Sequence, residues 1–326
     1  MANNGLPDPT NIDEFVRTVL RGDTGLVMYY LMEGDVEDSN EEGLTPITAL
    51  LIRGSLLPRD QMTDAKQEEI LDTFINSGVS LDDPDANGNF PIFAAVFANF
   101  PVALKVFNNA DTTVINPHNS VNLVMTAAGL GLEDVIRFIS PDFNLDAKDD
   151  DGNTAVHHAV IADRQVTSRM QQAHPRDIVS TLCELGADAS LENNAGKTPY
   201  ELATDAGKYD VALIVKHCSL PKEGFHKIKI KLNPDAEESD FYVHDQDTVL
   251  EVKRAILFED ANNFNFLFPR FREQPVMDNM RAISDYGMRD GDLVTVMPKL
   301  RTGRGGKRRR TTQKRRALKR RGTRRN

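Results

Sequence analysis

The sequence predicts a multidomain chain: an all-α array of repeated helix pairs, a small α+β domain, and a basic tail without fixed structure. Three features carry this expectation. A short phrase recurs five times between Gly43 and Ala203, strict alternation begins at Lys227, and residues 301–326 are dominated by Lys and Arg. The length of 326 residues suits about two domains at roughly 150 residues each. Such a length buries a proper core without metals or cross-links.

Charge divides the chain more sharply than its net value of −10 suggests. Of 39 Lys and Arg, 14 fall in residues 301–326, which contain no Asp or Glu; the preceding residues hold 25 against 49 acids, a net −24. The N-terminus, Met1 to Thr10, lacks the basic and apolar regions of a secretion signal. Apolar runs such as Ala49 to Ile52 are far too short to span a bilayer, so no membrane partner is expected. The two cysteines, Cys183 and Cys218, exclude a disulfide framework and a thiolate zinc site, and predict a reducing, intracellular compartment.

The recurring phrase is Gly, one residue, Thr-Pro, an apolar residue, two further residues and Ala. It stands as Gly43-Leu44-Thr45-Pro46-Ile47, Gly88-Asn89-Phe90-Pro91-Ile92, Gly152-Asn153-Thr154-Ala155-Val156 and Gly196-Lys197-Thr198-Pro199-Tyr200. A faded copy begins at Ser120 and runs to Ala127. The anchors at 43, 88, 120, 152 and 196 are spaced by 45, 32, 32 and 44 residues. Glycine supplies a tight positive-φ turn ahead of each helix. Pro46, Pro91 and Pro199 suit the first helical position, which needs no N–H. Ala95, Ala127, Ala159 and Ala203 let neighbouring helices approach closely, with Leu50 where a fifth alanine is expected. Gly34, Gly78 and Gly186 read as left-handed stops of second helices.

This repeat resembles the ankyrin repeat, whose period is about 33 residues. The resemblance covers about residues 11–217, with 1–38 as N-terminal capping helices and 39–217 as about five repeats. The two long spacings place insertions at Arg53 to Lys66 and Arg164 to Arg176, between the helices of a pair. Ankyrin arrays are binding platforms, so a protein client on the groove is implied. His157 and His158 occupy the repeat's histidine position and its neighbour, and a turn-ordering hydrogen bond is expected of His157. Cys183, beside Leu182 on an apolar face, reads as a core residue. Cys218 has only His217 beside it, on a different helical face.

Residues 218–224 read as a linker punctuated by Pro221 and Gly224. Lys227 to Leu232 then alternates as a half-buried strand. Phe241 and Val243 mark a second strand. Asp247 or Thr248 caps a helix supported by Glu251, with Val249, Val252 and Ile256 on one apolar stripe. Leu293 to Met297 forms the last strand. This order, with Asp247-Thr248-Val249-Leu250-Glu251-Val252-Lys253 and Ile283-Ser284-Asp285-Tyr286, resembles ubiquitin, a β-grasp fold, over residues 225–306. The resemblance implies docking on a ubiquitin-receptor or proteasome-type partner. Met297 falls on one position of the apolar patch through which ubiquitin is read, and Leu267 or Phe268 stands near the central one. Asn233-Pro234 replaces the loop leucine of that patch. Gly305-Gly306 echoes the processed ubiquitin terminus, three residues further out.

The tail carries basic clusters at Lys307, Arg308, Arg309 and Arg310, at Lys314, Arg315 and Arg316, and at Lys319, Arg320 and Arg321. Blocks of like charge are expected to be disordered interaction arms, suited to nucleic acid or an importin. Without aromatics, only phosphate contacts are available to them. A tail of this composition beside ankyrin repeats is similar to giant-virus proteins.

The expectations are therefore a monomeric, non-enzymatic adaptor in the nucleus or cytoplasm (of the host cell if viral), with no cofactor or metal. No phosphate loop, metalloprotease motif or nucleophile elbow is present in the sequence. The alternatives are a ubiquitin-like modifier cut after Gly306, and a nucleic-acid packaging protein working through its tail. Residues 1–217 and 225–300 are expected to fold independently, because no apolar seam is evident between them.

Overall fold

Helix pairs follow one another from Ile12 to Cys218 in the computed structural model. It describes residues 6–34, 38–98, 100–162, 172–233, 236–257, 261, 263–268 and 276–299. The pairs are α1 (Ile12–Arg21) with α2 (Thr24–Glu33), α3 (Pro46–Leu56) with α4 (Asp64–Asn76), and α5 (Pro91–Ala94) with α6 (Phe100–Asn109). They continue as α7 (Leu123–Leu130) with α8 (Glu133–Ile139), α9 (Ala155–Ile161) with α10 (Pro175–Glu184), and α11 (Pro199–Asp205) with α12 (Tyr209–Cys218). First helices pack on first helices and second on second, as in α7 on α9 on α11 and α8 on α10 on α12. One apolar core runs the length of the stack, from Phe15 to Val215. Ala95, Ala127, Ala159 and Ala203 are wholly buried in it, and so is Leu50.

The turn chemistry follows the repeat phrase. All five anchors have positive φ: 79° at Gly43 and Gly88, 57° at Ser120, 77° at Gly152 and 68° at Gly196. Ser120 is the one non-glycine residue with positive φ among the described residues. Pro46, Pro91 and Pro199 each open their helix. The loop Leu57 to Thr63 between α3 and α4 lies within the first expected insertion. Gly78 and Gly186 adopt positive φ as expected. Gly34 does not: its φ is −110°. A Cβ there would run into the Pro9 carbonyl oxygen, so close backbone approach, not a left-handed turn, demands glycine at this position.

Among the described residues beyond the stack, a four-stranded mixed sheet carries one α-helix. Strands β1 (Phe225–Lys231) and β2 (Ser239–His244) are antiparallel. Helix α13 (Val249–Leu257) follows, then β3 (Phe264–Leu267), a short helical turn at Ile283–Tyr286 and β4 (Leu293–Pro298). The spatial order is β2-β1-β4-β3. β4 runs parallel to β1 and antiparallel to β3. A parallel pair needs a long crossover, and α13 lies within the crossover between β1 and β4. Ile228, Ile230, Val294, Val296 and Phe266 face Val249 and Val252 of α13 in a second core. Among the described residues, no helix is long and apolar enough to cross a membrane.

Candidate interaction surfaces and the joint between them

The turns ahead of the first helices form a ladder. In each of four copies a side-chain oxygen three residues before the anchor accepts two backbone N–H groups. Asn40 takes those of Glu42 and Leu44, and Asp85 those of Asn87 and Asn89. Asp149 takes Asp151 and Asn153, and Asn193 takes Ala195 and Lys197. Adjacent turns are then tied backbone to backbone, by Ala86 N–H to Gly43 O at 3.0 Å, Asp150 N–H to Asn119 O at 3.1 Å and Asn194 N–H to Asp151 O at 2.9 Å. These Asx positions are absent from the expected phrase. Two of the four, Asp85 and Asp149, spend a carboxylate on their own turn.

His157 performs the expected ordering role. Its Nδ1 accepts the Thr154 backbone N–H at 3.1 Å. The proton must then sit on Nε2, which donates to Lys197 O of the next turn at 3.1 Å. Burial pushes the His157 imidazole below its ordinary value, because the charged ring would lose its hydration there. His158 instead pairs with Asp149, Nε2 to Oδ2 at 2.8 Å.

Stack and sheet domain, between which the sequence gives no apolar seam, meet in a polar joint. Helix α12 packs on α13. Asp247, fully buried, places Oδ2 2.7 Å from His217 Nε2 and accepts the His244 backbone N–H at 2.7 Å. Lys216 Nζ lies 3.4 Å from Asp247 Oδ1, donates to Glu251 at 2.8 Å, and reaches the Gln246 carbonyl at 3.2 Å. Burial alone would lower Lys216, but the Glu251 hydrogen bond and the Asp247 charge outweigh it and hold the ammonium above its ordinary value. Burial would likewise raise Glu251, but Lys216 and Thr248 together hold it below the usual carboxylate range. Tyr209 carries the Arg254 guanidinium 5.4 Å above its ring. The seam is ionic rather than apolar, which is why hydrophobic patterning did not expose it.

Two further findings concern this end of the molecule, the first of them a correction. Cys183 and Cys218 are disulfide-bonded, 35 residues apart. That separation is close to one repeat period, so consecutive second helices bring equivalent positions side by side. Neither cysteine is a free core thiol, and each is half-buried. The helix cap is also settled: Thr248 and Glu251 form the capping box, with Thr248 N–H to Glu251 Oε2 at 2.7 Å and Glu251 N–H to Thr248 Oγ1 at 3.2 Å. Asp247 is thereby left to serve the joint.

On the sheet, alternation along β3 separates the candidate docking residues. Phe266 and Phe268 point into the core, each 1% exposed. Phe268 is therefore withdrawn as a surface residue. Leu267 lies on the opposite face, paired with Thr295, and Met297 is paired with Asn265 on that same face. Both are half-buried. Lys253 is buried on α13, donating to Asn279 Oδ1, and burial lowers it to about 8. Gly305, Gly306 and the basic clusters Lys307–Arg310, Lys314–Arg316 and Lys319–Arg321 lie outside the described residues, as does Pro234.

No family model matches the chain, and no curated protein does. Solved structures do show similarity. An ankyrin repeat protein designated EF0377 matches at 22% identity and TM-score 0.49, over 63% of this chain and 97% of that one. An ankyrin repeat domain from Acinetobacter baumannii AYE matches at 18% identity and TM-score 0.47, over 63% and 97%. The ankyrin domain of Bcl-3 matches at 16% identity and TM-score 0.42, over 66% and 100%. The class itself rests on this chain's own turns and helix pairs: an ankyrin-type solenoid followed by a small mixed α+β domain.

Proposed function

We propose that the chain is a non-enzymatic adaptor inside the cell. The solenoid binds a protein client, and the sheet domain is ubiquitin-like and docks on a ubiquitin-receptor or proteasome-type surface. The basic tail engages nucleic acid or an importin. The observation that carries the docking role is the strand order β2-β1-β4-β3 with α13 in the crossover, which leaves Leu267 and Met297 together on the face that α13 does not cover. The test is capture of a purified ubiquitin-receptor helix by the full chain. Binding abolished by Leu267→Asp or Met297→Asp supports the reading, and no binding by the parent chain contradicts it.

The tail makes a separate claim. Its 14 positive charges neutralise about eight phosphates at once, which predicts a slope of log K against log salt of roughly −7 on duplex DNA. A full-chain affinity that stays constant between low and moderate salt counts against the nucleic-acid role.

A further inference from the structure

We propose that Cys183 and Cys218 form a redox-operated clip that governs docking of the sheet domain on the solenoid. Cys218 is the last residue of α12, and Lys216 and His217 in the same helical turn hold Glu251 and Asp247. That turn ends the last helix pair, which has no following repeat to stack on. Terminal units of a solenoid have one neighbour instead of two and open most readily. Here the turn is gripped from both sides. The disulfide ties it back to α10 of the preceding pair, and the ion pairs tie it forward to Asp247 and to Glu251 of α13. The covalent tie fixes where Lys216 and His217 stand, so the ionic grip is pre-positioned while the disulfide lasts.

The bond is placed for exchange with solvent. Both cysteines are half-buried and border a shallow pocket between α10, α12 and β2, beside Ser180, Lys222, Phe225 and Tyr242. The reactant is a dithiol. One of its thiolates attacks a cysteine sulfur and forms a mixed disulfide, which its second thiol then resolves. Two electrons and two protons pass to Cys183 and Cys218, and the reductant leaves as a disulfide. Oxidation by a disulfide of the same class reverses the step. In the oxidised form the sheet domain is docked; in the dithiol form the last turn of α12 loosens and the domain is released on residues 219–224. The inference stands on this geometry and does not depend on what the sheet domain binds.

The test is amide hydrogen exchange on the full chain, oxidised and after dithiothreitol, read by mass spectrometry. Reduction is expected to speed exchange about tenfold or more in peptides covering residues 211–224 and 245–257, with α1 to α9 unchanged. Cys183→Ser is expected to match the reduced protein with or without dithiothreitol. Unchanged exchange at the joint on reduction overturns the proposal. So does a uniform rise throughout the stack, which would mean general destabilisation, and so do free thiols in the oxidised, natively folded protein. The wild-type comparison decides the matter even if Cys183→Ser fails to fold.

Discussion

The interior of the solenoid and its junction with the sheet domain are held together by opposite means. Inside the stack, each repeat meets a copy of itself, so apolar helix faces and Asx-capped turns interlock with the same geometry at every step. At the junction, α12 meets a helix of another fold, and the contact is made by Lys216, His217, Asp247 and Glu251. Repetition stabilises by many equal increments. A unique junction concentrates its energy in a few residues, with a buried carboxylate at the centre.

The largest expected effect lies next to that junction. Val252 is 1% exposed in the second core, and a buried unpaired carboxylate costs several kcal/mol. Val252→Asp should unfold the sheet domain, and, because α12 loses its partner, the last helix pair should melt below the rest of the stack. Thermal melts followed by exchange at α11 and α12 check this; an unaltered last pair would mean that the junction contributes nothing. Asp247→Asn should come next, at about 3 kcal/mol, since it removes the buried carboxylate charge that faces the Lys216 ammonium. Limited trypsin digestion at Lys222 should accelerate in that variant.

A smaller effect separates the stack from the junction by pH. His157 has a folded value below its ordinary 6.5, so the folded stack takes up a proton less readily than the unfolded chain. Its contribution is complete above about pH 6.5 and is lost as pH falls toward the folded value. The junction behaves differently: Glu251 is held low and Lys216 high. Its contribution is complete between their ordinary values of 4.5 and 10.5 and is lost as acid reaches the folded Glu251 value or base the folded Lys216 value. Urea unfolding at pH 7 and pH 5.5 should show a loss that His157→Gln reduces. The smallest effect is Ser120→Gly. It relieves a left-handed residue worth about 1 kcal/mol but loses the 2.6 Å hydrogen bond to Asp150, so a gain of a few tenths of a kcal/mol in urea unfolding is expected.

The same contrast explains what could be read in advance. Gly43, Gly88, Gly152 and Gly196, the prolines after them and the buried alanines were legible because each occurs several times and repetition exposes its meaning. The Asx residues at 40, 85, 149 and 193 repeat just as well, but two are Asn and two are Asp, which hides the pattern. The Cys183–Cys218 pair was hidden because cysteine occurs once per helix, and only the period shows that the two are neighbours. Leu267 and Phe268 could not be told apart until the register of β3 was fixed. The junction was the least legible region: its residues are charged, and charged residues on a helix read as solvent-facing until a partner is placed against them.

The direct test of the junction is a double-mutant cycle on Lys216→Met and Glu251→Gln, read by urea unfolding of the oxidised full chain. A coupling of about 1 kcal/mol between the two substitutions is predicted, because the 2.8 Å pair joins stack and sheet domain across a partly buried seam. Effects that add to within about 0.3 kcal/mol would contradict the account, leaving two bodies joined only by the chain between them.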